Sequence, residues 1–261
     1  MSESNLLRVM TYNMRYADDT PPHSWNERRE LIKEVVLRED PDLIGTQECL
    51  FRQVKDLSSM LSDYDWVGLG REGGSKGEYM AVFFKKDRLE VLEYGHFWLS
   101  ETPAVIGSRT WGNICPRMVT WIRFQELKSG TTFYHLNTHL DNYSSEARIK
   151  GAKLIVQQAS ELSPAEPIVL TGDFNEGNGS VPYHLLTAEG AFTDTWYLAS
   201  ERLNEELGTF NDFEDKTGRN DRIDWILVHG DITVAETKII GDCPGGSFPS
   251  DHFPIIADIQ I

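Results

Sequence analysis

Six places in this 261-residue chain put a carboxylate, an amide or an imidazole beside an apolar run. Asn13 ends VMTYN, Glu48 ends LIGTQE, and His139 and Asp141 end FYHLNTHLD. Asp173 and Asn175 end IVLTGDFN, Asp224 opens the run in DRIDWILV, and Asp251 and His252 precede the last one in SDHFPI. In GDFN, Gly172 and Asn175 supply ordinary turn chemistry, but nothing about a turn requires Asp173. Strand ends are rigid places from which side chains can be aimed at one point. A lone case is usually a turn or a satisfied polar group, whereas six make coincidence a poor account. Carboxylate and amide oxygens without clustered thiolates suit Mg2+ or Mn2+. Two histidines near carboxylates suit proton transfer or stabilisation of a charged transition state. Metal-assisted phosphoryl transfer needs all of these.

The elements that must position these residues are mostly strands. Runs rich in β-branched and aromatic residues fall at 7–12, 42–46, 64–67, 79–84, 89–94, 118–124, 132–138, 168–171, 223–228 and 254–259. Ser24-Trp25-Asn26-Glu27 has the form of a capping box ahead of Leu31, Ile32, Val35 and Val36, which share one helical face. A second helix is expected from Ser144 or Ser145, with Ala152, Ile155, Val156, Ala159 and Leu162 inward. Strands outnumber helices and βα alternation is partial, which favours an α/β sandwich of two facing sheets with outer helices over a doubly wound parallel sheet. Neither a repeat nor a linker-like stretch marks a boundary, so residues 1–261 are expected to form one domain.

Composition narrows the functions. With 40% hydrophobic and 25% charged residues, the chain is ordinary globular material. No apolar run approaches the roughly 20 residues a spanning helix needs, and the N-terminus lacks signal-peptide regions, so a cytoplasmic location is expected. Cys49, Cys115 and Cys243 are odd in number and form no CxxC pair. That points to buried reduced thiols and away from a disulfide framework or zinc site. The formal net charge of −16 comes without a basic stripe and opposes long polyanions at a distance.

In this order, TYN, TQE, NTHLD, TGDFN, RIDWIL and SDH resemble the motif set of the endonuclease/exonuclease/phosphatase superfamily, over nearly the whole chain. The resemblance implies a deoxyribonuclease I-like, four-layered sandwich of two facing mixed β-sheets flanked by helices. It implies Glu48 as the principal Mg2+ (or Mn2+) ligand, with Asn13 and Asp251 completing or supporting the metal shell. Asp173 would orient or deprotonate the attacking water, and Asn175 would hold that water or a phosphoryl oxygen. His252 would donate to a nonbridging oxygen while Asp224 keeps it protonated. His139 would assist the leaving oxygen, oriented by Glu78. Arg117 resembles a phosphate-contacting arginine. Arg109 and Trp111, in GSRTWGN, form either a substrate-facing rim or a surface loop, and Asp141 is either a substrate contact or a helix cap.

Two other classes compete. GGSKG at 73–77 fits the G-x-S-x-G pattern of a serine hydrolase, but a strand-like run follows it where a nucleophile elbow needs a helix. A catalytically silent binding module conflicts with a site that has no evident missing member. The expectation is therefore a metal-dependent phosphodiesterase or phosphatase acting on a compact phosphate ester, with a DNA or RNA nuclease as the alternative. No obligate protein partner is evident.

Overall fold

The structure is a computed structural model that describes residues 6–162, 165–188, 191–241 and 243–261. Thirteen strands among these residues form two sheets. One runs β10 (Glu201–Leu203), β12 (Thr233–Ile239), β13 (Ile255–Gln260), β1 (Leu7–Asn13), β2 (Leu43–Gln47), β4 (Val82–Lys85), β3 (Tyr64–Val67). The other runs β5 (Leu89–Trp98), β6 (Met118–Glu126), β7 (Thr132–His139), β8 (Ile168–Asp173), β11 (Asp224–His229), β9 (Thr193–Asp194). Helices α1 (Trp25–Glu39) and α2 (Phe51–Met60) cover the outer face of the first sheet. Helices α3 (Ser145–Leu162) and α4 (Val181–Thr187) cover that of the second, and the short α5 (Thr195–Leu198) packs at the end of the inter-sheet core. The four-layered sandwich expected from the sequence is the observed fold.

The period-2 alternation of a strand explains how this fold makes a site. Along β1, Met10 and Tyr12 face α1 while Leu7 and Val9 face the other sheet. Continuing that inward row leads to Thr11 and Asn13. The same progression runs Leu43–Gly45–Gln47 along β2, Phe133–His135–Asn137–His139 along β7 and Val169–Thr171–Asp173 along β8. Each row starts in the apolar core and crosses a polar layer; those of β1, β7 and β8 end in Asn13, His139 and Asp173, and Glu48 follows directly on Gln47 at the end of β2. Because β1 runs parallel to β2 and β7 parallel to β8, all four rows end at the same edge. Antiparallel β11 begins at that edge with Asp224, paired to Asp173, and antiparallel β13 starts there just after His252.

The polar layer joins the sheets. Asn137 Nδ2 donates to the Thr46 carbonyl (2.8 Å), Gln47 Nε2 donates to Asn137 Oδ1 (2.8 Å), and Thr171 Oγ1 lies 3.1 Å from the same oxygen. Gly45 makes this approach possible, since a Cβ there would meet Thr171 Oγ1 at 2.1 Å and Asn137 Oδ1 at 2.6 Å.

Several elements differ from the sequence expectation. The run at 79–84 is a strand only from Val82, because Tyr79 bridges to Cys49 and Gly70 instead. The run at 89–94 continues to Trp98. The sequence analysis missed β9, β10, β12, α2, α4 and α5. β12, TVAETKI, carries two charges, Glu236 and Lys238, after its bulge, and α2 follows β2 almost at once behind Leu50, which is no capping signal. Around Ser24, Glu27 Oε2 accepts from the Ser24 N–H at 3.0 Å. Ile32, Val35 and Val36 are buried, as are Ala152, Ile155 and Ala159 of α3, with Leu31, Val156 and Leu162 half-buried. No helix among the described residues is long and apolar enough to cross a membrane.

The Gly45 contact gives a test of how the sheets are held. Gly45→Ala should destabilise the protein by about 2 kcal/mol or more, the scale of overpacking in a closed core. Denaturant unfolding that shows no loss would mean the sheets are free to move apart there.

Candidate active site

Asp173 is the centre of the cluster. It is 1% exposed, with His139 beside it on β7 and Asp224 beside it on β11. Its Oδ1 accepts from the Asn175 N–H (2.9 Å), and its Oδ2 accepts from Asn13 Nδ2 (2.9 Å). The same Oδ2 lies 3.3 Å from His139 Nε2 and 3.7 Å from His252 Nε2. Burial, reinforced by the negative charge of Asp224, pushes the Asp173 carboxyl up to about 7. A carboxyl titrating there is suited to act as a base near neutral pH.

The two histidines are tuned in opposite directions. Burial alone would depress His252, but the Asp224 and Asp173 carboxylates outweigh it and raise its pKa well above the usual imidazole value. Nδ1 of His252 donates to Asp224 Oδ2 at 2.9 Å, which leaves Nε2 facing Asp173 as a charged donor. His139 is held well below the ordinary value by burial and by the charges of Arg117 and Arg71. It is neutral, and its Nε2 receives the Asn175 amide at 2.9 Å.

Glu48, Asp251 and Arg15 form the opposite wall. Glu48 accepts from Asn13 Nδ2 (3.1 Å) and the Tyr16 N–H (3.1 Å). Arg15 Nη1 lies 3.3 Å from Asp251 Oδ2 and 3.9 Å from Glu48 Oε2, so a cationic group already sits against both carboxylates. One ligand atom each from Glu48, His139 and Asp173 lie within 4.8 Å of one another. This donor set, carboxylate oxygens with one neutral imidazole and no thiolate, fits Mg2+ or Mn2+. Glu48 (φ 64°), Arg15 (φ 52°) and Asn175 (φ 53°) all adopt left-handed backbone. Such conformations cost about 1–3 kcal/mol each and persist where the surroundings over-determine them.

These groups line a cleft of about 270 Å³, together with Arg71, Glu78, Cys115, Arg117, Asn142 and Phe210. Asn13, Glu78 and Trp111 take places other than those assigned from the sequence, while Asp141 and Arg109 take the second of the alternatives given for each. Asn13 turns its oxygen away to the Arg15 N–H (2.9 Å), so its amide nitrogen, not its oxygen, faces the carboxylates. Glu78 pairs with Arg71 Nη1 (2.6 Å), a stronger donor than a neutral imidazole, and makes no hydrogen bond to His139, whose buried Nδ1 has no partner. Asp141 spends one oxygen on the Tyr143 and Ser144 N–H groups ahead of α3 and the other on Arg117 Nε (3.2 Å). Arg109 is outside the cleft, exposed and bonded to the Ile114 carbonyl. Trp111 packs into the core under α3, beside a separate depression with Lys150 and Lys153. Of the cysteines only Cys49 is buried; Cys115 and Cys243 are half-exposed.

Sequence reasoning missed Arg15, Arg71 and Arg28. Arg28 is 1% exposed and donates to the carbonyls of His23 (2.9 Å), Met14 (2.8 Å), Arg15 (3.1 Å) and Pro249 (2.9 Å). It ties the loop after Asn13 to the loop carrying Asp251 and His252. Its only sequence signal was a position on the inward side of α1, where an arginine reads as a solvated charge.

The model of the Endonuclease/Exonuclease/phosphatase family matches residues 10–252. A mannosyl-6-phosphatase of Bacteroides thetaiotaomicron superposes with a TM-score of 0.92 at 34% identity, covering 98% of this chain and 100% of that one. The human Nocturnin catalytic domain with bound sulfate anion superposes at 0.75 with 19% identity, over 99% of this chain and 96% of that one, a likeness of fold. The CCR4-Not complex 3'-5'-exoribonuclease subunit Ccr4 of Saccharomyces cerevisiae is 22% identical over 91% of this chain, which spans only 35% of that protein. Fold and site together define a hydrolase of phosphate esters. The chain belongs to the endonuclease/exonuclease/phosphatase family, whose enzymes are generally dependent on a divalent metal.

Two outcomes are expected. Activity should fall at alkaline pH as His252 loses the proton that Asp224 holds on it. Asp224→Asn removes that charge and should move the alkaline limb down by about one pH unit or more. An unmoved limb in the pH profile of kcat/KM would assign it to another group. Glu48→Gly should abolish activity yet raise the melting temperature of the metal-free protein by about 2–4 °C, because it relieves a left-handed glutamate and a crowded carboxylate. A lower melting temperature would show that the Tyr16 hydrogen bond outweighs the strain.

Proposed function

We propose that this chain is a Mg2+- or Mn2+-dependent phosphohydrolase acting on a compact phosphate ester, such as a phosphorylated sugar, in preference to a nucleic acid strand. The observation that supports this reading best is the cleft itself. Asp173, His139 and His252 line a cleft of about 270 Å³, room for a phosphoryl group and one ring-sized substituent. Its cationic groups are inside, with Arg71 and Arg117 largely buried, while the chain as a whole carries −16. A strand-binding enzyme gains affinity from cations spread along a groove. The 34% identical relative is a mannosyl-6-phosphatase, which agrees with a small phosphorylated substrate.

In this reading Glu48 and Asp251 would hold the cation, which would supply polarisation of the phosphoryl group. Asp173, steadied by Asn13 and by the Asn175 N–H, takes the proton of the attacking water. His252 donates its Nε2–H to a nonbridging oxygen as charge builds there. His139, neutral and accepting the Asn175 amide at Nε2, would hold Asn175 in place, and the departing oxygen would take its proton from solvent water. The likeness to Ccr4 sustains one second reading, a ribonuclease of the same chemistry.

Chelation should abolish turnover, and added Mg2+ or Mn2+ should restore it. Asp173→Asn should lower kcat by about 10²–10⁴ with the fold retained. Parallel assays on sugar phosphates, single-stranded RNA and plasmid DNA decide the substrate. Higher kcat/KM on RNA or DNA than on every small ester, at physiological salt, would overturn the reading.

A further inference from the structure

The cleft contains two arginines that the chemistry above leaves unused. Arg71 is 8% exposed and Arg117 6%. Arg71 gives Nη1 to Glu78 Oε2 (2.6 Å), while its buried Nε has no hydrogen-bond partner. Arg117 gives Nε to Asp141 Oδ2 (3.2 Å) and Nη2 to Asn142 Oδ1 (3.0 Å), while its buried Nη1 has none. Both arginines line the cleft, and two guanidiniums in one cleft wall suit a ligand with several oxygens. Both charges are close enough to depress His139.

Arg71 is also held rigidly. Its N–H donates to the Glu78 carbonyl (2.9 Å), and its carbonyl accepts from Trp98 Nε1 (2.7 Å). Between Arg71 and Glu78 the chain reverses through Gly73 (φ 94°), Gly74 (φ 58°) and Gly77 (φ 73°), and Tyr79 Oη donates to the Gly74 carbonyl (2.9 Å). The GGSKG stretch therefore has a structural role. Its glycines allow the left-handed turn that sets Arg71 beside Glu78, and Ser75 does not line the cleft.

We infer that Arg71 and Arg117 form a two-guanidinium clamp for the third terminal oxygen of a phosphate monoester, selecting monoesters over diesters. The inference rests on the phosphohydrolase reading and goes beyond it by naming the ester class and the residues that choose it. A diester carries one charge and two nonbridging oxygens, which a cation and His252 suffice to engage. A monoester near neutral pH approaches two charges and presents a third oxygen, for which planar guanidinium donors are well matched. In a diester that position carries a second ester carbon. It would cover the two guanidiniums without satisfying them, the situation in which a hydrogen-bonding site rejects an analogue most strongly.

The test compares p-nitrophenyl phosphate with bis(p-nitrophenyl) phosphate, and measures inorganic phosphate binding calorimetrically in the presence of Mg2+. The wild-type protein should prefer the monoester. Arg71→Ala should lower the monoester-to-diester ratio of kcat/KM by about 100-fold. It should also weaken phosphate binding by about tenfold or more while Mn2+ affinity stays within about twofold. Arg71→Lys, which leaves Glu78 a cationic partner and protects the fold, should recover part of both. Equal losses on the two esters, or unchanged phosphate affinity in both variants, would overturn the clamp. If the wild-type protein turns over neither these esters nor any sugar phosphate, the proposed function fails, and phosphate binding still decides whether the clamp exists.

Discussion

The Asn137 amide, bonded to the Thr46 carbonyl and the Gln47 side chain across a gap that only Gly45 permits, fixes how the two sheets face each other. Everything catalytic depends on that alignment, because the two walls of the site belong to different sheets. Asn13, Glu48 and Asp251 come from one sheet and its connections, and His139, Asp173 and Asp224 from the other. Apolar contacts between Val9, Leu43, Phe133 and Val169 hold the sheets together lower down, but such contacts are non-directional and tolerate sliding. A directional polar layer between core and site removes that freedom. It also grades the interior from apolar to polar to ionised, so that the charged cluster does not abut the hydrocarbon core.

The cluster is unfavourable on its own terms. Glu48, Glu78, Asp173, Asp224 and Asp251 converge with little access to water, and burial raises Glu78, Asp173 and Asp251 above the usual carboxylate range. Three devices hold them. The Asn13 amide joins Glu48 to Asp173, His252 in its charged form is shared between Asp224 and Asp173, and arginines stand against the remainder. Each device also brings a chemical property: an orienting amide, an imidazole with a raised pKa, and cationic N–H donors. Strain accumulates in the same place, in the left-handed backbones of Arg15, Glu48 and Asn175. The rest of the sandwich must supply the stability that this edge gives up.

How much of this was legible from the sequence follows from which forces leave a local pattern. Alternation along β1, β7 and β8 is local, so those strands and the residues at their ends were readable, as was the sandwich. The short β9 and β10 owe their existence to neighbours, so no local signal marked them, whereas α2 carries an apolar stripe of Phe51, Val54 and Leu57 that is short and lacks a capping residue ahead of it. Side-chain orientation was the least readable feature. Asn13, Glu78 and Asp141 were all found, but which atom each presents depends on the Arg15 backbone N–H and on the Arg71 and Arg117 side chains, and residue type alone does not announce those pairings. Arg28 shows the same limit, because an arginine that is fully buried against carbonyls has the sequence appearance of one in water.

The acidity of the chain and the cationic lining of its cleft are compatible because they act over different distances. A net charge of −16 acts beyond the surface, where salt screens it within about 10 Å, whereas Arg71, Arg117 and His252 act on whatever has already entered the cleft. A small phosphate ester crosses the unfavourable outer field once, with at most two charges, and then meets buried donors in a medium of low dielectric. A polyanion keeps most of its charges in the unfavourable field while only one phosphate is inside. The energy difference between the two therefore grows with the number of phosphates left outside. On the compact-substrate reading proposed above, discrimination by length would follow from electrostatics alone, before any contact with a base or a sugar is made.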